Sequence, residues 1–123
     1  HVLERAKLGV YSPESLKNIP APWEKRYFKK TSSNEYAISE EIKREVIFKR
    51  LNLMEPFPFR SRFDLIFCRN VMIYFDQQTK NNLIKKFYDI LKPGGYLFIG
   101  HSETVQRDTV DFKYIEPSIY LKG

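Results

Sequence analysis

Phe63-Asp64-Leu65-Ile66-Phe67-Cys68 is a nearly continuous apolar run. A strand covered on both faces has this pattern, and we read it as a central parallel strand. Asp76 follows as a good N-cap, and Leu83, Ile84, Phe87, Tyr88 and Leu91 then recur at the spacing that builds one buried stripe on a helix. Lys85, Lys86 and Lys92 fall where a helix C-terminus favours cations. Pro93-Gly94-Gly95 ends that helix, and Tyr96-Leu97-Phe98-Ile99 supplies a second apolar strand. Such a strand-helix-strand unit almost always crosses over right-handed with parallel strands, so both strands finish at one edge of the sheet. Arg69-Asn70 after the first strand and Gly100-His101-Ser102-Glu103 after the second must then converge where open α/β sheets bind ligands. The fold class is α/β.

Downstream, Phe112 to Leu121 carries Phe112, Tyr114, Ile115, Ile119 and Tyr120, with a bend at Pro117-Ser118, and predicts a closing antiparallel strand or hairpin. Upstream, Val2, Leu3, Ala6 and Leu8 share a helical face that stops at Gly9, a residue suited to the left-handed position after a helix. Ser12-Pro13 reads as an N-cap with proline at the first helical position, opening a short helix to about Asn18. Pro20 and Pro22 interrupt the chain before a helical stretch from Trp23 to Phe28. Two aromatic-bearing runs between Tyr27 and Ile38 flank Thr31-Ser32-Ser33-Asn34, which predicts a small hairpin. Ser39-Glu40-Glu41 starts a helical turn, and Val46-Ile47-Phe48 is a β-prone run returning toward Leu51-Asn52-Leu53. We divide the chain into a helical segment 1–26, a small β-subdomain with its return strand 27–50, and an α/β part 51–123.

The chain of 123 residues suits one domain with a real core. Its 42% hydrophobic and 15% aromatic content is ordinary for a globular protein. No apolar run reaches the ~20 residues of a membrane span, and His1 to Gly9 lacks the apolar core of a signal peptide. Cys68 has no partner for an internal disulfide, as in a reduced cytoplasmic protein, and a cysteine metal site is excluded. The net charge of +6 suits an acidic protein surface or a nucleic acid, but the lysines are spread along the chain as on solvated helix faces. No aromatic-interleaved basic motif appears, which argues against nucleic acid.

The run from Phe63 through Cys68-Arg69-Asn70-Val71-Met72-Ile73-Tyr74-Phe75-Asp76, followed by Leu91-Lys92-Pro93-Gly94-Gly95-Tyr96-Leu97-Phe98-Ile99-Gly100-His101-Ser102-Glu103, resembles the signature of CheR-type chemotaxis receptor methyltransferases. The likeness reaches back through Leu51-Asn52-Leu53 and Arg26-Tyr27-Phe28, and is weakest between Lys29 and Glu45. It implies a partial Rossmann-like sheet that binds S-adenosylmethionine (SAM), with a small β-subdomain inserted. It implies methylation of glutamate side chains on the cytoplasmic helices of chemotaxis receptors. It makes Asn52 and Leu53 contacts to the adenine side of SAM, sets Arg69 and Asn70 along the cofactor, and puts Tyr74 near the transferred methyl group. Some family members dock a receptor peptide on the β-subdomain; the hairpin here is short and lacks the glycines of those members, which argues against docking.

The implied chemistry needs no general base, because a glutamate with a reference pKa near ~4.3 is already ionised at neutral pH. Alignment and removal of water remain as the tasks. His101, Ser102 and Glu103 match the residue types of a hydrolase triad, but adjacent turn residues do not form the needed chain of contacts and no Gly-x-Ser-x-Gly elbow is present. Cys68 in an apolar strand is a poor nucleophile. Gly9, Gly94, Gly95, Gly100 and Gly123 form no glycine-rich loop of the kind that lets backbone approach the cofactor. The expectation is therefore a chain lacking the first strand and SAM loop, inactive alone, and prone to self-association through unpaired edges. The alternative from another class is a non-catalytic methyltransferase-like module that holds acidic protein helices. A different protein carboxylate as acceptor also remains open.

Overall fold

The computed structural model describes residues 1–101, 103–106 and 109–123. They form two compact units, His1–Arg50 and Leu51–Gly123.

In the first unit, α1 (Val2–Leu8) stops at Gly9, whose φ of 65° is the left-handed cap expected there. A Cβ on Gly9 would lie 2.6 Å from Ile38 Cγ2, so space as well as backbone demands glycine. Ser12 accepts the Ser15 N–H and caps a 3₁₀ turn over Pro13–Leu16. Next come α2 (Ala21–Tyr27) and an antiparallel hairpin of β2 (Phe28–Ser32) and β3 (Glu35–Ile38). The short β1 (Val10–Tyr11), which the sequence reading missed, pairs with β3 and gives the order β1-β3-β2. Ser39 caps α3 (Glu40–Glu45) by accepting the Ile42 N–H. The return strand expected at Val46-Ile47-Phe48 is not formed. Ile47 is 78% exposed and no strand pairs with this run among the described residues. β-propensity is largely the fit to a half-buried pleated surface, and here that surface is absent.

The second unit holds β4 (Phe63–Cys68), α4 (Gln77–Ile90), β5 (Leu91–Ile99), β6 (Phe112–Glu116) and β7 (Ile119–Lys122). The sheet order is β4-β5-β7-β6, with β4 and β5 parallel and the other pairs antiparallel. The strand-helix-strand unit and the closing hairpin thus form as expected. The position of β4 does not: it lies at the sheet edge rather than at its centre. It is also covered on one face only. Ile66 packs against the core and Cys68 lies in it, together with Leu83, Ile84 and Phe87 of α4 and Leu91, Leu97 and Ile99 of β5. On the other face Phe67 stacks on Phe98 at 4.6 Å yet stays 65% exposed.

The helix-to-strand junction also differs from expectation. Helix α4 ends at Ile90, and Leu91 already pairs with Phe63. The register then shifts so that Leu65 meets Tyr96, and Lys92 to Gly95 bulge within the strand instead of following the helix. Lys92 consequently leaves the helix end and pairs with Asp64 at 3.2 Å. The cation at the helix C-terminus is Lys122 of β7, whose Nζ donates to the carbonyls of Tyr88 (2.7 Å) and Leu91 (2.9 Å). No helix of the described residues is long and apolar enough to cross a membrane.

Candidate active site

The parallel pairing of β4 with β5 brings the two polar segments together at one sheet edge. Asn70, just past β4, has φ 59°, the left-handed region in which asparagine is one of the few tolerated side chains. Gly100, just past β5, is bound to it through Glu103. One carboxylate oxygen, Oε1, accepts the N–H of Gly100 (2.8 Å) and the N–H of Asn70 (3.3 Å). Glu103 is only 6% exposed, so this carboxylate sits behind the edge rather than on it. Gly100 has no room for a side chain: a Cβ there would lie 2.5 Å from Glu103 Oε1 and 2.9 Å from Asn70 Oδ1. Its carbonyl accepts the Ser118 hydroxyl at 3.1 Å and the Glu103 N–H at 3.0 Å.

Arg69 and Asn70 are both exposed at this edge, so their side chains are available to a ligand. Val71 leads into a 3₁₀ turn, Met72–Tyr74, in which Met72 is buried and Phe75 packs on the core. Those two residues anchor the turn and leave Tyr74 outside, 91% exposed. An aromatic at such a corner usually belongs to the core; here its side chain faces solvent.

Asn52 and Leu53 occupy a separate loop. The Asn52 side-chain oxygen accepts the Met54 N–H at 2.9 Å, closing a local turn. Leu53 is half-buried, and its carbonyl accepts Lys86 Nζ at 2.8 Å, with Glu55 held by the same ammonium at 3.0 Å. Lys86 therefore fastens this loop to α4, a role hidden by its reading as a helix-end charge. A cavity of about 250 Å³ opens beside the loop, lined by Leu53, Met54, Thr79, Asn82, Leu83 and Lys86. Arg69, Asn70 and Tyr74 take no part in it, although Leu53 packs on the same core as Cys68 and Met72 at the end of β4.

Cys68 is buried at the end of β4. Burial first, and the nearby Glu103 charge second, push its thiol up to about 11, which removes it as a nucleophile at neutral pH. Glu103 itself is spent on backbone amides, and Ser102 lies outside the described residues, so the neighbouring side chains give no support to a hydrolytic triad.

An exposed Arg-Asn pair at the carboxyl end of a parallel strand, backed by a polar turn after the next, is the ligand-binding edge of an α/β sheet. Residues 1–121 match the family model described as CheR methyltransferase, SAM binding domain. The chain belongs to this family. It is 47% identical over 123 residues to the chemotaxis protein methyltransferase of Borreliella burgdorferi, covering 99% of this chain and 43% of that protein. Against the chemotaxis protein methyltransferase of Escherichia coli it is 40% identical over 126 residues, covering 99% of this chain and 42% of the relative. The chemotaxis protein methyltransferase 2 of Pseudomonas aeruginosa is 41% identical over 106 residues, with 83% and 38% covered. The chain thus spans 38% to 43% of the length of these curated relatives. The mixed α/β sheet is consistent with the fold of the CheR SAM-binding domain.

From the sequence, Glu103 belongs to the polar turn at the ligand edge and to a rejected hydrolase triad, with no role of its own. Its convergence with Asn70 was implicit in the parallel crossover, but nothing in the residue order shows which polar residue of the turn faces inward.

Proposed function

We propose that this protein, in its full length, is a cytoplasmic SAM-dependent methyltransferase that esterifies glutamate carboxylates on the cytoplasmic helices of chemotaxis receptors. The observation that carries the reading is the convergence of Arg69-Asn70 with Gly100-Glu103 at one sheet edge, in a chain of the CheR family.

The residues present suit SAM by chemistry. The Arg69 guanidinium offers donors to its carboxylate end, and Asn70 offers both donor and acceptor for the polar tail. Asn52 keeps its amide N–H groups for a ring nitrogen while its oxygen holds the local turn, and Leu53 supplies apolar surface for the adenine side. When bound, SAM supplies an electrophilic methyl group on a sulfonium sulfur. The chain's own part is to position the acceptor carboxylate, and we assign that to the exposed Tyr74 hydroxyl. A tight ion pair with Arg69 would instead blunt the nucleophile. The net charge of +6 suits acidic receptor helices.

For the 123-residue chain alone we propose little or no SAM affinity. Gly9 ends a helix, Gly94 and Gly95 lie within the β5 strand, and the space over Gly100 is filled by Glu103, so no glycine-rich turn is offered to a cofactor. The unpaired edge of β4, with Leu65 47% exposed and Phe67 65% exposed, supports self-association of that isolated chain.

Calorimetric titration of SAM and of its demethylated product into both lengths tests the reading. Binding by the full-length protein alone is expected; silence from a folded full-length protein would remove SAM from the proposal. Tyr74→Phe in the full-length enzyme is expected to lower turnover, and unchanged turnover and affinity would overturn its assignment. A strictly monomeric 123-residue chain with a cooperative melt would overturn self-association.

A further inference from the structure

The backbone at Asn70 is left-handed, a conformation that asparagine tolerates but that a specific contact can fix. Among the described residues one side chain, Glu103, bonds the Asn70 amide. Glu103 Oε1 binds the Asn70 N–H and the Gly100 N–H together, which ties the turn after β4 to the turn after β5. Its second oxygen, Oε2, is buried and has no partner among the described residues. The contacts of this carboxylate with described residues therefore run through Oε1 to two backbone amides. Burying a carboxylate disfavours folding unless it is well bonded, so its use here in place of an apolar residue calls for a compensating role.

We propose that Glu103 is a positioning residue for the SAM edge: its buried carboxylate clasps the Asn70 and Gly100 amides and so sets the left-handed turn that presents Asn70 to the cofactor. Glu103 does not itself touch SAM, since it is buried behind the turn. The small space at Gly100 follows from the same arrangement, because any Cβ there would strike the clasping oxygen. The inference rests on the assignment of Asn70 to the cofactor, and the experiment separates the two.

The full-length protein is compared with its Glu103→Ala, Glu103→Asp and Glu103→Gln variants by amide hydrogen exchange and by SAM titration. In Glu103→Ala, protection of the Asn70 and Gly100 amides is expected to fall about tenfold or more while the Leu97 amide, within the sheet, is unchanged; SAM affinity falls with it. Glu103→Gln keeps an acceptor oxygen and is expected to rescue both measurements to within a few-fold. If Glu103→Ala fails to fold, Glu103→Asp carries the test, because one methylene less should release the longer bond, to Asn70, first. Unchanged protection at Asn70 in the folded variants would overturn the clasp. Lost protection with unchanged SAM affinity would leave the clasp in place but overturn Asn70 as a cofactor contact, and the positioning role with it.

Discussion

Strands β4 and β5 are made of much the same material and have opposite fates. Phe63 to Cys68 and Tyr96 to Ile99 are both apolar runs, both parallel, and hydrogen-bonded to each other. Yet Leu97 and Ile99 are wholly buried, while Leu65 and Phe67 stand about half exposed or more. The difference is first of face: Leu97 and Ile99 share the α4 side with Ile66 and Cys68, whereas Leu65 and Phe67 share the open side with Tyr96, itself 38% exposed, and Phe98. β5 also lies between β4 and β7, whereas β4 has one strand partner among the described residues. Apolar composition thus specifies a strand, and the supply of covering surface specifies which of its faces is core.

The sharpest way to break this comparison is to truncate one leucine in each strand. Leu97→Ala removes a side chain with 0% exposure and is expected to cost about 3 kcal/mol in urea unfolding. Leu65→Ala, at 47% exposure, is expected to cost less than about 1 kcal/mol. Equal losses would mean that the outer face of β4 is covered in solution.

A second contrast sets two lysines against each other. Lys122 is 9% exposed, donates to two carbonyls at the end of α4, and lies 4.4 Å from the Tyr88 ring centroid. Lys122→Met keeps the bulk but leaves both carbonyls without that donor, for an expected loss of about 2 kcal/mol. Lys92, on β5, faces solvent and pairs with an exposed Asp64, so Lys92→Ala is expected to change stability by less than about 0.5 kcal/mol. The reverse order would return the helix-end role to Lys92, where the sequence alone had put it.

That reversal marks what was legible. Helical spacing with caps located α1 and α4, continuous apolar runs located both strands of the parallel unit, and a polar turn cluster between aromatic runs located the hairpin β2-β3, because each element's signal is local. Crossover handedness then brought Asn70 and Glu103 to one edge without any coordinates. What escaped depends on non-local partners: the two-residue β1 exists only because β3 offers it an edge, and Val46-Ile47-Phe48 stays irregular because no strand among the described residues does. Lys122 was unreadable for the same reason. Its carbonyl partners lie 31 and 34 residues away, reached only once β7 has docked beside β5.

Cys68, at 7% exposure, is the one buried residue of β4 and so tests the strand at its covered end. Its thiol is pushed from 9.0 to about 11, by burial and then by the Glu103 charge. The folded state therefore holds its proton more tightly than the unfolded chain. Stability from this group is fully present below about 9 and is lost as pH rises toward about 11. Cys68→Ala should flatten the decline across that window, read by urea unfolding at several pH values. Iodoacetamide should label the wild type slowly at pH 8 and fast once unfolded; rapid labelling of the native protein would place the end of β4 in solvent as well.

The smallest expected effect tests whether α4, which covers β5 but not the outer face of β4, is fixed by packing or by its cap. The Asp76 carboxyl is held below its ordinary 3.8, chiefly by the Thr79 N–H at 2.8 Å and then by the Thr79 hydroxyl. A lowered folded value means that the contribution is present above the unfolded pKa and fades as pH falls through the folded one. Asp76→Asn retains a capping oxygen and should melt close to the wild type at neutral pH, with a weaker dependence on acid. Asp76→Ala should melt lower at neutral pH and converge with the wild type once Asp76 is protonated. Leu83, Ile84 and Phe87 are buried against β5 whatever the cap does, so the helix should survive both changes. Loss of the α4 circular dichroism signal in Asp76→Ala would show instead that the cap, and not the buried stripe, holds the helix over the strand.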